Sequence, residues 1–150
     1  MGRAPIQFAV RAPRPLLQAM ARGFRGRCPN CGEGRLFGAF LKVVDRCPVC
    51  GTELFHHRAD DAPPYFVILI VGHIVVPLAL VVETEFSPPY WVHAALWGPL
   101  TVVLSLGLLQ PVKGAIVAWQ WAQRMHGFDP RADADGEPQW LPSPAAPRDP

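Results

Sequence analysis

The chain has 150 residues, half of them hydrophobic, with a formal net charge of +2 and a mean hydropathy of +0.15. That mild average conceals a segregation: an apolar middle lies between polar, proline-rich ends, which are too polar to cover it as the core of a soluble domain. No HExxH motif, phosphate-binding glycine loop or nucleophile with a placed base occurs, so enzymatic activity is not expected.

The first segment, 1–27, is a basic arm broken by prolines, with no continuous apolar core of the length a signal peptide needs. Its stretch PLLQAMARGFRGR suits either a short helix lying on anionic lipid or a solvated tail. The segment 28–58 follows and holds all four cysteines, Cys28, Cys31, Cys47 and Cys50, in two echoing knuckles, CPNCG and CPVCG. Two residues between thiols let both sulfurs reach one ion, and the glycine after each second cysteine permits the tight turn the knuckle needs. Fifteen residues separate the knuckles. The expected ligand is Zn2+ in a closed tetrahedral site, with a single iron as runner-up and a pair of disulfides as the alternative in an oxidising compartment. A closed four-cysteine site has no open position for water or substrate, which argues for a structural metal. The neighbouring His56 and His57 are bystanders on this reading.

Two apolar runs come next: about 65–82, YFVILIVGHIVVPLALVV, and about 90–109, YWVHAALWGPLTVVLSLGLL. At 1.5 Å per residue they extend roughly 27 and 30 Å, enough to cross a hydrocarbon core. The fold class expected is a membrane α-helical hairpin of two transmembrane helices behind a small four-cysteine zinc ribbon. The link ETEFSPP carries Glu83 and Glu85 and no basic residue, whereas ten of the fourteen Lys and Arg precede Tyr65 and four follow Leu109. The positive-inside rule therefore places both termini in the cytosol, a reducing space that favours metal over disulfides. Ten basic against five acidic residues in the first 62 also suit nucleic acid, but membrane topology and anionic lipid explain the same charge, so nucleic acid is not the expected partner.

Two histidines fall within the apolar runs. His73 sits about 12 Å along the first, four residues before Pro77, whose missing N–H weakens the helix there. Its alternatives are a haem or copper ligand, a proton relay, or a hydrogen bond to a neighbouring helix, the last being preferred. His93 lies near the far end of the second run, at a depth that keeps the two from sharing a metal within one hairpin. Gly72, Gly98 and Gly107 are places where another helix can approach closely.

Beyond the second run, Gln110, Lys113, Gln120 and Arg124 fall within about 80° on a helical wheel. They form a candidate docking face for the ribbon or a partner, with snorkelling as the plainer explanation, while Trp119 and Trp121 are expected at headgroup level. Residues 59–126 thus form the hairpin with an amphipathic extension. Residues 127–150, six of them proline, are expected to be disordered.

The ordered set RGRCPNCGEGRLF, CPVCG, DDAPPYFVILIVGHIVVPLAL, PPYWVHAALWGPL and LLQPVKGAIVAWQW, over about Arg22 to Asp129, resembles the bacterial family catalogued as a domain of unknown function, number nine-eight-three. The resemblance matches the four cysteines to the family's ribbon and puts Asp60, Asp61, Pro89, Trp91, Pro111, Lys113 and Gly114 in its motifs around the hairpin. Genes of this family often stand among those for haem-copper cytochrome c oxidase and its assembly factors. The resemblance therefore implies an inner-membrane accessory or assembly factor for that complex. A membrane-anchored metal or redox sensor and, behind it, a small oligomeric transporter are the alternatives.

Overall fold

A computed structural model describes residues 13–59 and 61–128. Asp60, the first twelve residues of the basic arm and the tail from 129 onward lie outside the described residues. The arm's helix is the first element, α1, Leu16–Phe24. It stops at Gly26, whose φ of 68° closes a Schellman turn: Arg27 N–H donates to the Arg22 carbonyl and Gly26 N–H to the Gly23 carbonyl, both at 2.9 Å. Ala19 and Gly23 are buried, so α1 is neither a solvated tail nor a helix resting on lipid by all its apolar side chains. It packs against the third helix.

The cysteine segment makes three isolated antiparallel bridges, Arg27 with Arg35, Phe37 with Val43 and Arg46 with Glu53. The outer two bracket the knuckles, and the middle one folds the linking loop back on itself. Leu36, Leu54 and Val43 turn inward, together with Cys28 and Cys47.

The hairpin consists of α2, Ala62–Phe86, and α3, Tyr90–Ala122. The first begins three residues ahead of the expected start, because Pro63 and Pro64 sit in the first turn, where a helix has no use for their missing N–H groups. It also continues through Glu83–Phe86, which shortens the expected seven-residue link to Ser87–Pro89. Ser87 ends α2 in the left-handed region, φ 42°, with its N–H and hydroxyl both donating to the Glu83 carbonyl at 3.0 and 3.1 Å. Both helices are long and apolar enough to cross a membrane, and their most apolar windows are 11% and 0% buried by protein. A soluble core would cover such surface, so the expected membrane hairpin is what the chain forms.

At 33 residues α3 is about 50 Å long, more than a bilayer's hydrocarbon thickness, and its last three turns extend past the span toward the ribbon. That extension carries the main core: Val117, Ala118 and Trp121 pack with Ala19 of α1, with Leu36, Phe37, Val43 and Leu54 of the ribbon, and with Phe128. A smaller cluster, Val67, Val71 and Val112, holds α2 to α3 near the ribbon end. The crossing of α1 over α3 is close enough that a Cβ on Gly23 or on Gly114 would run into the other's backbone carbonyl. The spacings Ala19-x3-Gly23 and Gly114-x3-Ala118 supply the small residues on both helices. Gly72, Gly98 and Gly107, expected as approach points, have open space where a side chain would be.

Candidate metal centre

The four sulfurs lie within 4.8 Å of one another, with Cys28 to Cys50 at 3.7 Å and Cys31 to Cys47 at 3.8 Å. A disulfide needs about 2.05 Å, whereas four thiolates about 2.3 Å from a central ion stand about 3.8 Å apart. The thiols are free and stand at the spacing of ligands around one ion, and both of these short contacts run across the knuckles, so one ion would tie the two together. The same separation suits zinc or a single iron.

Backbone turns set this geometry. In the first knuckle Cys28 N–H donates to Gly34 O and Gly32 N–H to Cys28 O; in the second, Cys47 N–H donates to Thr52 O and Gly51 N–H to Cys47 O. Gly32 and Gly51 take φ of 77° and 70°, the left-handed conformation expected of them. Gly34 has a different task, since a Cβ there would overlap the Cys47 sulfur. It forms the open side of the first knuckle into which the second knuckle's thiol fits, a cradle sized for a sulfur and its metal.

Polar neighbours support individual sulfurs. Asn30 donates to Thr52 Oγ1 at 2.8 Å, which leaves the Thr52 hydroxyl to donate to Cys50 Sγ at 3.1 Å, and Glu33 N–H points at Cys31 Sγ from 3.5 Å. Arg22 of α1 donates to the carbonyls of Pro29 and Asn30 at 3.2 and 2.6 Å, fixing the first knuckle to the helix. The thiols differ in environment. Burial pushes Cys28 far up, against the lowering effect of backbone N–H groups from Cys31 and Asn30. At the exposed Cys50, slight burial acts upward but is outweighed by the Thr52 side chain and backbone and by Cys47 and Cys31, which together bring it down to about 6.

The histidines stay outside this centre. His57 Nδ1 donates to Leu54 O at 2.8 Å, while His56 faces Glu53 and stacks on Phe55. His73 does not make the expected bond to a neighbouring helix among the described residues: its Nδ1 donates to Leu69 O of its own helix at 2.8 Å, where an i−4 carbonyl lies in reach. His93 accepts from Trp97 Nε1 at 3.1 Å through Nδ1, so its Nε2 carries the proton that is donated to Glu83 at 2.9 Å. That chain ties α2 to α3 at the far end of the hairpin. Glu85 takes no part in it.

The four residues of the expected docking face divide. Gln120 is 4% exposed and holds the segment that leaves the ribbon through two bonds of 3.0 Å: it accepts from Arg58 N–H and donates to Arg58 O. Gln110 lines a small cleft of about 200 Å³ with Phe24, Arg25, Gly26 and Pro111. Lys113 is half-buried on the same extension. Arg124 is off the helix altogether, since it occupies the left-handed stop position, φ 57°, with Met125 N–H donating to Gln120 O. Trp121 is not an exposed interfacial ring: it is 6% exposed beneath the Arg14 guanidinium, which sits 4.4 Å over its ring and donates to its carbonyl at 2.6 Å. Of these two rings, Trp119 is the exposed one. The apolar seam and the Arg14 cap were not readable from a helical wheel, because the wheel shows which residues share a face and not what folds back onto it.

No curated protein and no solved structure matches the chain. One family model does, over residues 37–121, a narrower stretch than the motifs suggested: it takes in the second knuckle, both spans and the α3 extension, while Cys28 and Cys31 precede it. With more than half of its length matched, the chain belongs to the family described as Protein of unknown function (DUF983).

Proposed function

We propose that this protein is a non-enzymatic accessory or assembly factor of a bacterial inner-membrane complex, with haem-copper cytochrome c oxidase as the complex suggested by the family's gene neighbourhood. The reading puts both termini and the ribbon in the cytosol, in keeping with the distribution of basic residues. Zinc is the proposed ion, because a closed set of four thiolates in a reducing space is the usual structural zinc site. The four cysteines would hold it, and when bound it fixes the knuckles without offering an open coordination position.

The observation that carries the proposal is the anchoring on the α3 extension of the ribbon, by the Gln120–Arg58 pair, and of α1, which Arg22 ties to the first knuckle, by the Gly23–Gly114 crossing. A small domain held this firmly presents a surface of fixed orientation at the membrane, which suits binding more than turnover. Deletion of the gene is expected to lower assembled oxidase, read as reduced a-type haem absorbance and slower cytochrome c oxidation by membranes. A Cys47→Ser chain should fail to restore it. Normal oxidase content in the deletion strain, with the gene expressed in its parent, would reject the assembly role.

A sensor reading is favoured by one specific observation, the exposure of Cys50 beside three more enclosed thiols. It predicts metal release on mild oxidation of purified protein with a matching change in a cellular output, whereas the accessory role requires the metal to stay bound.

A further inference from the structure

We infer that the face of α2 turned away from α3 is the lateral interface of this protein, and that it receives a transmembrane helix of another protein carrying a hydrogen-bond donor at the depth of His73. The inference rests on the accessory reading above and adds where the partner binds and by what chemistry. His73 is eleven residues from Ala62 and thirteen from Phe86, about 16 and 20 Å from the two ends of α2, so it sits near the middle of the span. Val67 and Val71 pack toward α3, and His73, two residues beyond Val71, lies about 200° round the helix from it. A groove on that outer side is lined by Ile68, Leu69, Gly72, His73, Val76 and Pro77, all from α2.

A side-chain acceptor without a partner and a carbonyl deprived of its regular helical donor coincide there. The Leu69 carbonyl can only accept, so the proton of the neutral His73 ring is on Nδ1, and Nε2 is left as a bare acceptor with no partner among the described residues. Pro77, four residues on, has no N–H to give the His73 carbonyl. In hydrocarbon neither atom has water to bond, and each is costly until a donor arrives. Gly72 opens the groove between them, with space where a side chain would be. A second copy of this chain is a poor occupant: on α3, Thr101 and Ser105 stand near this depth, but helical spacing puts them on the side that faces α2, with Leu108 and Val112. The missing groups are therefore a hydroxyl, indole or amide N–H from a different helix.

The test uses full-length protein in its native membranes with a photoreactive diazirine residue at Val76, in the groove, or at Val103, exposed on α3. Cross-links from Val76 are expected to map to a membrane segment of another protein with Ser, Thr, Trp, Asn or Gln in the captured turn. His73→Phe should lower their yield about three- to tenfold, and Pro77→Ala, which restores the helical N–H without touching the ring, should lower it as well. Capture of lipid alone, of a second copy, or of a segment without a donor overturns the inference, as does unchanged yield in both variants. A haem or copper absorbance lost in His73→Phe would make Nε2 a metal ligand and overturn it too. Protein cross-links from Val103 but not Val76 would sink this interface while leaving the accessory role standing. A His73-dependent cross-link in a strain whose oxidase is indifferent to the gene would do the reverse.

Discussion

The side-chain amide of Gln120 faces the backbone of Arg58 and makes both bonds an amide can make with one residue, accepting from its N–H and donating to its carbonyl at 3.0 Å each. Sixty-two residues of chain, including both membrane spans, separate the two. Replacing Gln120 with Met keeps the bulk and removes both bonds, at an expected cost of about 1–3 kcal/mol to ribbon docking. Faster amide exchange over Leu54–Ala59, with unchanged exchange in α2, is the readout. Gln120→Glu should be at least as damaging, because a carboxylate cannot donate to the Arg58 carbonyl.

The Gly23–Gly114 crossing leaves no room for a methyl group on either side. Gly114→Ala is therefore expected to push α1 off α3 at a cost of about 1–3 kcal/mol. Tryptic cleavage at Arg22 and Arg25 should accelerate, and Trp121 fluorescence should change as the Arg14 guanidinium leaves its ring. Gly107→Ala, in open space, serves as the control and should alter neither.

Two glycines in the ribbon separate turn strain from metal geometry. Gly34→Ala places a methyl on the Cys47 sulfur and should weaken metal binding about 10- to 100-fold, measured by competition with a chromogenic chelator. Gly51→Ala meets nothing, and its φ of 70° costs about 1–2 kcal/mol of ribbon stability while the sulfur positions survive. Cys28→Ser should release the ion altogether and destabilise the ribbon, with Leu36, Val43 and Leu54 still packed on the α3 extension and the hairpin still inserted.

After the metal is removed, the thiols should react in order of their environment. Cys50, lowered to about 6, is a thiolate above that pH and is exposed, so iodoacetamide should label it first at pH 7.5. Its rate should fall as the pH drops through about 6, where the sulfur takes up a proton. Cys28, raised by burial, remains a thiol at neutral pH and should be labelled last. Peptide mapping after timed alkylation gives the order. Equal rates at the two positions would contradict the asymmetry described here.

The turn at Ser87–Pro89 has no basic residue near it, whereas the ribbon end is rich in arginine. A reporter active only in the periplasm should therefore work when inserted at Ser87 and fail at the N-terminus. Activity at the N-terminus would invert the protein and place its thiols in an oxidising space.

Local chemistry made part of this protein legible in one dimension. The C-x2-C-G knuckles announce themselves because metal-ligand spacing and a left-handed glycine are set by neighbours two or three residues apart, and the spans because lipid demands a continuous apolar run. Gly72 and His73 could be marked as notable from sequence. Which way they face depended on where α3 packs, through Val67 and Val71. The tertiary structure alone decided that the ribbon, α1 and the α3 extension share one core. Trp121 reads as an interfacial ring and Arg124 as part of a basic stripe until Arg14 folds over the one and a left-handed turn takes the other off the helix. Gly34 was invisible for the same reason, since its role is to make room for Cys47, a sulfur thirteen residues away that only the closed ribbon brings to it. Periodicity records the neighbours a residue has along its own helix or turn, and these functions depend on neighbours supplied by other parts of the chain.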